Sequence, residues 1–342
     1  MHKVIILLLL LGLSSTAEFK ISFLTKDEAA KEILNDSMED YFSLFNELEI
    51  EAKSLKKLPG KDLQEKLKNL KKHYSDNVMA FTDAEKAFLK KVCKESTEKL
   101  AKDYPKFTAL PWSFLKVNRN VENGFPHTRD KHIVLSDMVM SHYLRMHKFR
   151  GDLAVKEAAI LMIHEQLHVY QRKYKKDFDT MYKELWGYVK ADKIDKGDYV
   201  KKREIINPDA PHSNWALPID PKDKNTRYIL PILLIKEGRG RKSLMGSMQE
   251  LGIYLEKVKE GEYKVVYENG KPLKNPLNSI KRYKSIYPLT NYNYHPHESS
   301  ADLFSKMVVK DLMGHDKFSR FDKAVVKKEL DVLRKWFKKI ME

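Results

Sequence analysis

AAILMIHEQLHVYQRKY, residues 158–174, reads as one helix: Gly151-Asp152 upstream offers a stop and an N-cap, and no Gly or Pro follows until Gly187. Residues four apart on a helix lie one turn above each other, so His164 and His168 present their imidazoles to the same point. Two neutral imidazoles so placed can both reach a zinc ion at about 2.0–2.1 Å. Glu165 projects beside them and can take a proton from water activated there. The six residues before His164 are apolar all round, which marks a buried helix. Burying two His and a Glu without partners is costly, and a metal supplies the partner.

Beyond that helix, Asp177–Lys190 is amphipathic and helical. Residues 207–215 are rich in turn formers and carry His212 and Trp215. Tyr228–Ile235, Gly252–Val258 and Glu262–Glu268 read as strands, the last ending at the turn Asn269-Gly270. Helices over 302–313 and 320–340 close the chain. Upstream, Trp112–Val117 and His132–Leu135 are strand-like and flank a turn-rich stretch. A sheet beside the central helix could pair an extended substrate along its edge strand. Ser136 or Asp137 caps a helix from Met138 to His147, and His127 and His132 are expected in core or surface roles. Asp27–Lys57 and Lys61–His73 read as helices, and the capping box Thr82-Asp83-Ala84-Glu85 opens a third, to about Lys102.

The expected fold is therefore α+β. Residues 18–106 form a helical N-terminal region, consistent with a propeptide or a permanent part. Residues 107–342 form the main domain, with a β-rich insertion at about 177–290. Residues 1–17 have the pattern of a cleaved export signal: a short basic start, a ten-residue apolar run from Val4 to Leu13, then Ser15-Thr16-Ala17. Ten residues are too few to span a bilayer. The expected location is secreted or periplasmic, without stable membrane insertion.

A hydrophobic content of 42% supports a substantial core, and the single Cys93 excludes an intramolecular disulfide framework. The net charge of +16 is spread over the chain, with mild clusters at Arg172, Lys173, Lys175 and Lys176 and at Lys327, Lys328, Lys338 and Lys339. A solvated basic surface accounts for it, and attraction to anionic cell-surface polymers is the functional alternative. No nucleic-acid recognition motif is visible.

A catalytic zinc needs a third protein ligand and an open position. The best candidate lies in YHPHESSAD, residues 294–302, where Pro296 can start a helix and Glu298 and Asp302 share a face. His212, His295 and His297 are alternative ligands.

HEQLH followed by ESSAD resembles the gluzincin (thermolysin-like, zincin-fold) zinc metallopeptidases over these two short helices. The resemblance implies His164, His168 and Glu298 as zinc ligands, Glu165 as general base and Asp302 as the partner of the far nitrogen of His164. The metzincin alternative fails, because Gln171 and Tyr174 occupy the places where it requires Gly and His. The chain departs from the gluzincin pattern at His297, where Asn is usual, in the long gap before Glu298, and in lacking a downstream Tyr. Tyr294 and His212 are the candidate oxyanion donors. The expected activity is zinc-dependent hydrolysis of protein or peptide substrates. A zinc hydrolase acting on cell-wall peptide cross-links and a non-catalytic binding protein on the same scaffold are the alternatives.

Overall fold

The computed structural model describes residues 19–212, 214–237, 244–290 and 294–342, so the expected export signal lies outside the described residues. The architecture is α+β, with two principal sheets. The first comprises β1 (Ile21–Phe23), β2 (Val78–Met79), β3 (Trp112–Val117), β4 (His127–Arg129) and β5 (His132–Ser136), in the order β1-β3-β5-β4 with β2 also on β3. β1, β3 and β5 run parallel, and the edge strand β4 is antiparallel to β5.

Helices cover both faces of this sheet, and strand alternation sorts the side chains between them. Leu115, Val117 and Val134 pack against the first three helices, α1 (Lys26–Glu32), α2 (Glu47–Ser54) and α3 (Leu63–Asp76). Phe114, Ile133 and Leu135 face the opposite core, built on α4 (Asp83–Leu100), α5 (Pro105–Thr108), α6 (Asp137–Arg150), α7 (Asp152–Lys173) and α8 (Lys175–Trp186).

The expected insertion is a second sheet, which starts with β6 (Val189–Lys190) and β7 (Lys193–Asp195). After α9 (Gly197–Lys201) it continues with β8 (Glu204–Ile205), β9 (Trp215–Pro218) and β10 (Tyr228–Ile235). α10 (Leu244–Ser247), β11 (Met248–Lys259) and β12 (Glu262–Val265) follow. α11 (Lys281–Ile286) leads to α12 (Pro296–Met313), and α13 (Lys323–Met341) ends the chain.

Three expectations change. Residues 18–106 are not purely helical, because β1 and β2 belong to the central sheet. The expected helix over 27–57 is broken: Asp36 accepts the amides of Tyr41 and Phe42 at 2.6 and 3.0 Å, and Asn46 starts α2 by capping Glu49 N at 3.0 Å. Such side chains compete with the helical ladder for backbone groups. The capping box at Thr82 forms as read, but Asp152 does not cap α7; it pairs with Lys91 at 3.1 Å.

The N-terminal helices hold the rest of the chain through buried charge. Lys53 on α2 lies 3.0 Å from Glu49 and 3.2 Å from Glu122, and it donates to Ile206 O at 2.7 Å. Tyr41 and Tyr74 donate to Glu122 at 2.5 and 2.6 Å. Asn46 donates to Glu204 O at 2.7 Å, and Glu49 accepts Ile206 N at 2.7 Å. One face of α2 thus grips residues 204–206.

Burial pushes the Glu49 pKa up to about 7, although Lys53 opposes it. A carboxyl raised in the folded state binds its proton there while the unfolded chain has already lost it. Its stabilising contribution is full below about 4.5 and falls as pH rises through about 7. Glu49→Gln should flatten this part of the stability profile, read as Tm against pH relative to the unchanged chain. Identical profiles would refute the assignment.

Candidate metal centre

α7 and α12 pack against each other deep in the main core, and each brings its polar residues to the same place. Pro296 starts α12, as its fixed backbone favours, and the cap is His295, whose Nδ1 accepts His297 N at 3.1 Å. Glu298 then stands in the first helical turn, facing α7.

His164 Nε2 and His168 Nε2 are 3.1 Å apart. Glu298 Oε2 lies 3.3 Å from His164 Nε2, and Oε1 lies 3.6 Å from His168 Nε2. Bonds of about 2.0–2.1 Å at tetrahedral angles require donor separations of about 3.3 Å, so this set fits zinc. Among the described residues His212, His295 and His297 do not join the cluster of His164, His168 and Glu298.

The orienting partners differ from those the resemblance implies. Asp302 accepts from Thr290 at 2.5 Å and pairs with Lys306 at 2.6 Å, and it makes no hydrogen bond to His164. The far nitrogen that is anchored belongs to His168: Nδ1 donates to Gln171 Oε1 at 2.7 Å, which turns Nε2 toward His164 and Glu298. Gln171 in turn donates to Ser300 Oγ at 2.8 Å and to His297 O at 3.2 Å on α12. Asn207 donates to Glu298 Oε1 at 2.7 Å and fixes that carboxylate. Partners of this kind tune metal ligands, so Gln171→Leu and Asn207→Ala should each weaken zinc binding by about 10–100-fold. Titration with a chelator checks this, and unchanged affinity in both variants would refute the roles.

Asp209 is the site residue that sequence reading missed. It forms a second convergent group with Glu165 and His168. Its Oδ1 accepts Thr128 N at 2.7 Å and Thr128 Oγ1 at 2.5 Å. Arg172 bonds Pro208 O at 2.9 Å and Glu39 at 2.9 Å and also takes Thr128 Oγ1, tying the 207–209 loop to α7 and β4. These bonds occupy part of the outer edge of β4. At Thr128 the outward N–H of β4 is held by Asp209, and its carbonyl accepts from Arg172 at 3.5 Å.

Charges in the site are strongly coupled. Burial alone would lower the His168 pKa, but Asp209 and Glu298 outweigh it and hold it at about 10. Burial would raise Glu298, and the two imidazoles, His168 foremost, bring it well below the usual carboxylate range. Burial, then Asp209, pushes Glu165 well above that range. Glu165 is 3% exposed and its Oε2 has no hydrogen-bond partner among the described residues. Burial also brings His295 down to about 3 and His297 well below its usual value.

A cavity of about 180 Å³ opens beside Glu298, walled by Phe125, Ile205, Leu233 and Met248. Tyr294 lines it, and burial followed by the Glu298 charge raises its phenol far up, so it remains a proton donor. His127 lines it as well; its Nδ1 is 3.0 Å from Phe125 O, and burial lowers its pKa, so the neutral ring leaves Nε2 as an acceptor. His212 is exposed and borders a second groove with Arg172 and His297, which shares Asp209 with this cavity. His132 bonds Ser113 Oγ at 2.8 Å inside the sheet, remote from the site. Cys93 is buried in the main core, and its thiol is pushed well up by burial. Compared with known protein families, curated proteins and solved structures, the chain matches none.

Proposed function

We propose that the protein is an exported zinc-dependent peptide hydrolase of the zincin type. The observation that carries this reading is the convergence of His164, His168 and Glu298, with a partnerless, buried Glu165 carboxylate oxygen beside them. His164, His168 and Glu298 would hold the ion, which when bound supplies a Lewis acid that activates water and polarises a carbonyl.

The chain's own residues do the rest. Gln171 keeps Nε2 of His168 turned toward the ion's position, and Asn207 holds the Glu298 carboxylate. Glu165 takes a proton from attacking water and returns it to the leaving amine. Tyr294, protonated and beside Glu298, donates to the oxygen that gains charge. The cavity beside Glu298, with Phe125, Ile205, Leu233 and Met248 in its wall, takes a substrate side chain.

Hydrolysis of a casein-like protein and of purified cell wall tests the substrate class. Cleavage of the protein substrate with chelator sensitivity supports the reading. Cleavage of cell-wall cross-links alone moves it to the alternative hydrolase, to which the net charge of +16 is suited. A zinc-loaded protein that cleaves neither yet holds a stable partner would make it a binding protein.

A further inference from the structure

We infer that the corner between α6 and α7 is an anchor for anionic lipid surfaces, with Phe149 as its apolar wedge. This site is independent of the metal centre and of the proposed activity.

A single residue, Gly151, joins the two helices. Its φ of 49° and ψ of −121° suit glycine, and a Cβ there would meet nothing within 4 Å, so the corner stands out into solvent. The inward face of α6 is already satisfied. Tyr143 stacks on Phe88 with ring centroids 6.3 Å apart, and His147 meets the same ring at 5.2 Å. Phe149 points the other way and is 75% exposed, the most exposed large apolar side chain among the described residues. Leu153, the second residue of α7, is 38% exposed.

Basic groups surround this apolar tip. Arg145, Lys148 and Arg150 are exposed and Lys156 is half-buried, and Lys148 Nζ sits 5.9 Å from the Phe149 ring centroid. Asp152, an acid at the tip, pairs with Lys91 of α4 at 3.1 Å, a lysine that also lies 4.0 Å from Glu95. None of Arg145, Lys148, Arg150 and Lys156 has an acidic partner among the described residues.

A solvated aromatic with unpaired cations close to it in the chain is the complement of an anionic membrane surface. The phosphates attract the cations, and the ring enters the headgroup layer. An anionic polymer held by its charges alone would leave Phe149 in water, whereas a lipid surface engages the ring and the charges together, which is why lipid is the occupant inferred. No helix among the described residues is long and apolar enough to cross a membrane, and the contact is therefore peripheral.

The test is co-sedimentation of the full chain with vesicles of phosphatidylcholine, with and without about one third phosphatidylglycerol. Residues 1–17 have an apolar run of their own, so the chain is compared with Phe149→Ser and with the Arg145→Gln/Lys148→Gln/Arg150→Gln variant, which share that N-terminus. Binding to the anionic vesicles should fall about tenfold in each variant and weaken with added salt. Phe149 is exposed, so its replacement leaves the fold intact, and an unchanged circular dichroism spectrum checks that. Equal binding by Phe149→Ser, equal binding to neutral vesicles, no binding, or binding to heparin that matches the vesicles and ignores Phe149 would each overturn the inference.

Discussion

Replacing Glu165 by Gln should lower hydrolysis by about 10²–10⁴-fold, the usual worth of a positioned general base, while the zinc content stays unchanged. The amide keeps the shape of the side chain but cannot take the water proton. The variant should also be at least as stable as the unchanged chain. Glu165 is buried beside Asp209, and burial with that neighbour holds its pKa well up, so the ionised carboxylate is disfavoured where it stands. Activity with chelator sensitivity and thermal unfolding, measured on one preparation, separates the two effects. Full activity in Glu165→Gln would remove the residue from the mechanism.

Lys53→Met should have the largest effect on stability, about 3–5 kcal/mol, because it leaves buried carboxylates without their cation. Lys53 lies within 3.2 Å of both Glu49 and Glu122, and none of the three is more than 3% exposed. The Ile206 carbonyl also loses its donor, one residue from Asn207, which holds Glu298. Adding Glu122→Gln to Lys53→Met should restore part of the loss, since one stranded charge is removed. Denaturant midpoints of the single and double variants measure this, and a loss below about 1 kcal/mol in Lys53→Met would contradict it. The same linkage ties residues 41–76 to the rest of the chain: their helices cover one face of the central sheet and grip the loop that reaches the site.

What the sequence made legible is local. A spacing of four on a helix is enough to bring His164 and His168 together, and a Pro at a helix start is enough to place Glu298 in a first turn. The long strands β3 and β10 match their expected bounds, because runs of buried apolar residues mark them. The partners of the site were not legible for the opposite reason. Asn207 meets Glu298 across 91 residues, and Gln171 meets Ser300 across 129, so only the folded chain shows them adjacent. Asp302 stands at the expected helical position, yet Lys306 one turn on captures it. β1, β2 and β4 have two or three residues each, too few for any alternation to show, and exist because neighbouring strands pair with them.

The central claim is a zinc centre on α7 and α12. Zinc content per chain, measured after dialysis in the unchanged protein and in Glu298→Ala, tests it most directly. The structure predicts one zinc in the former and a large loss in the latter. No zinc in the unchanged protein, even after reconstitution, would contradict the centre and remove the enzymatic reading with it.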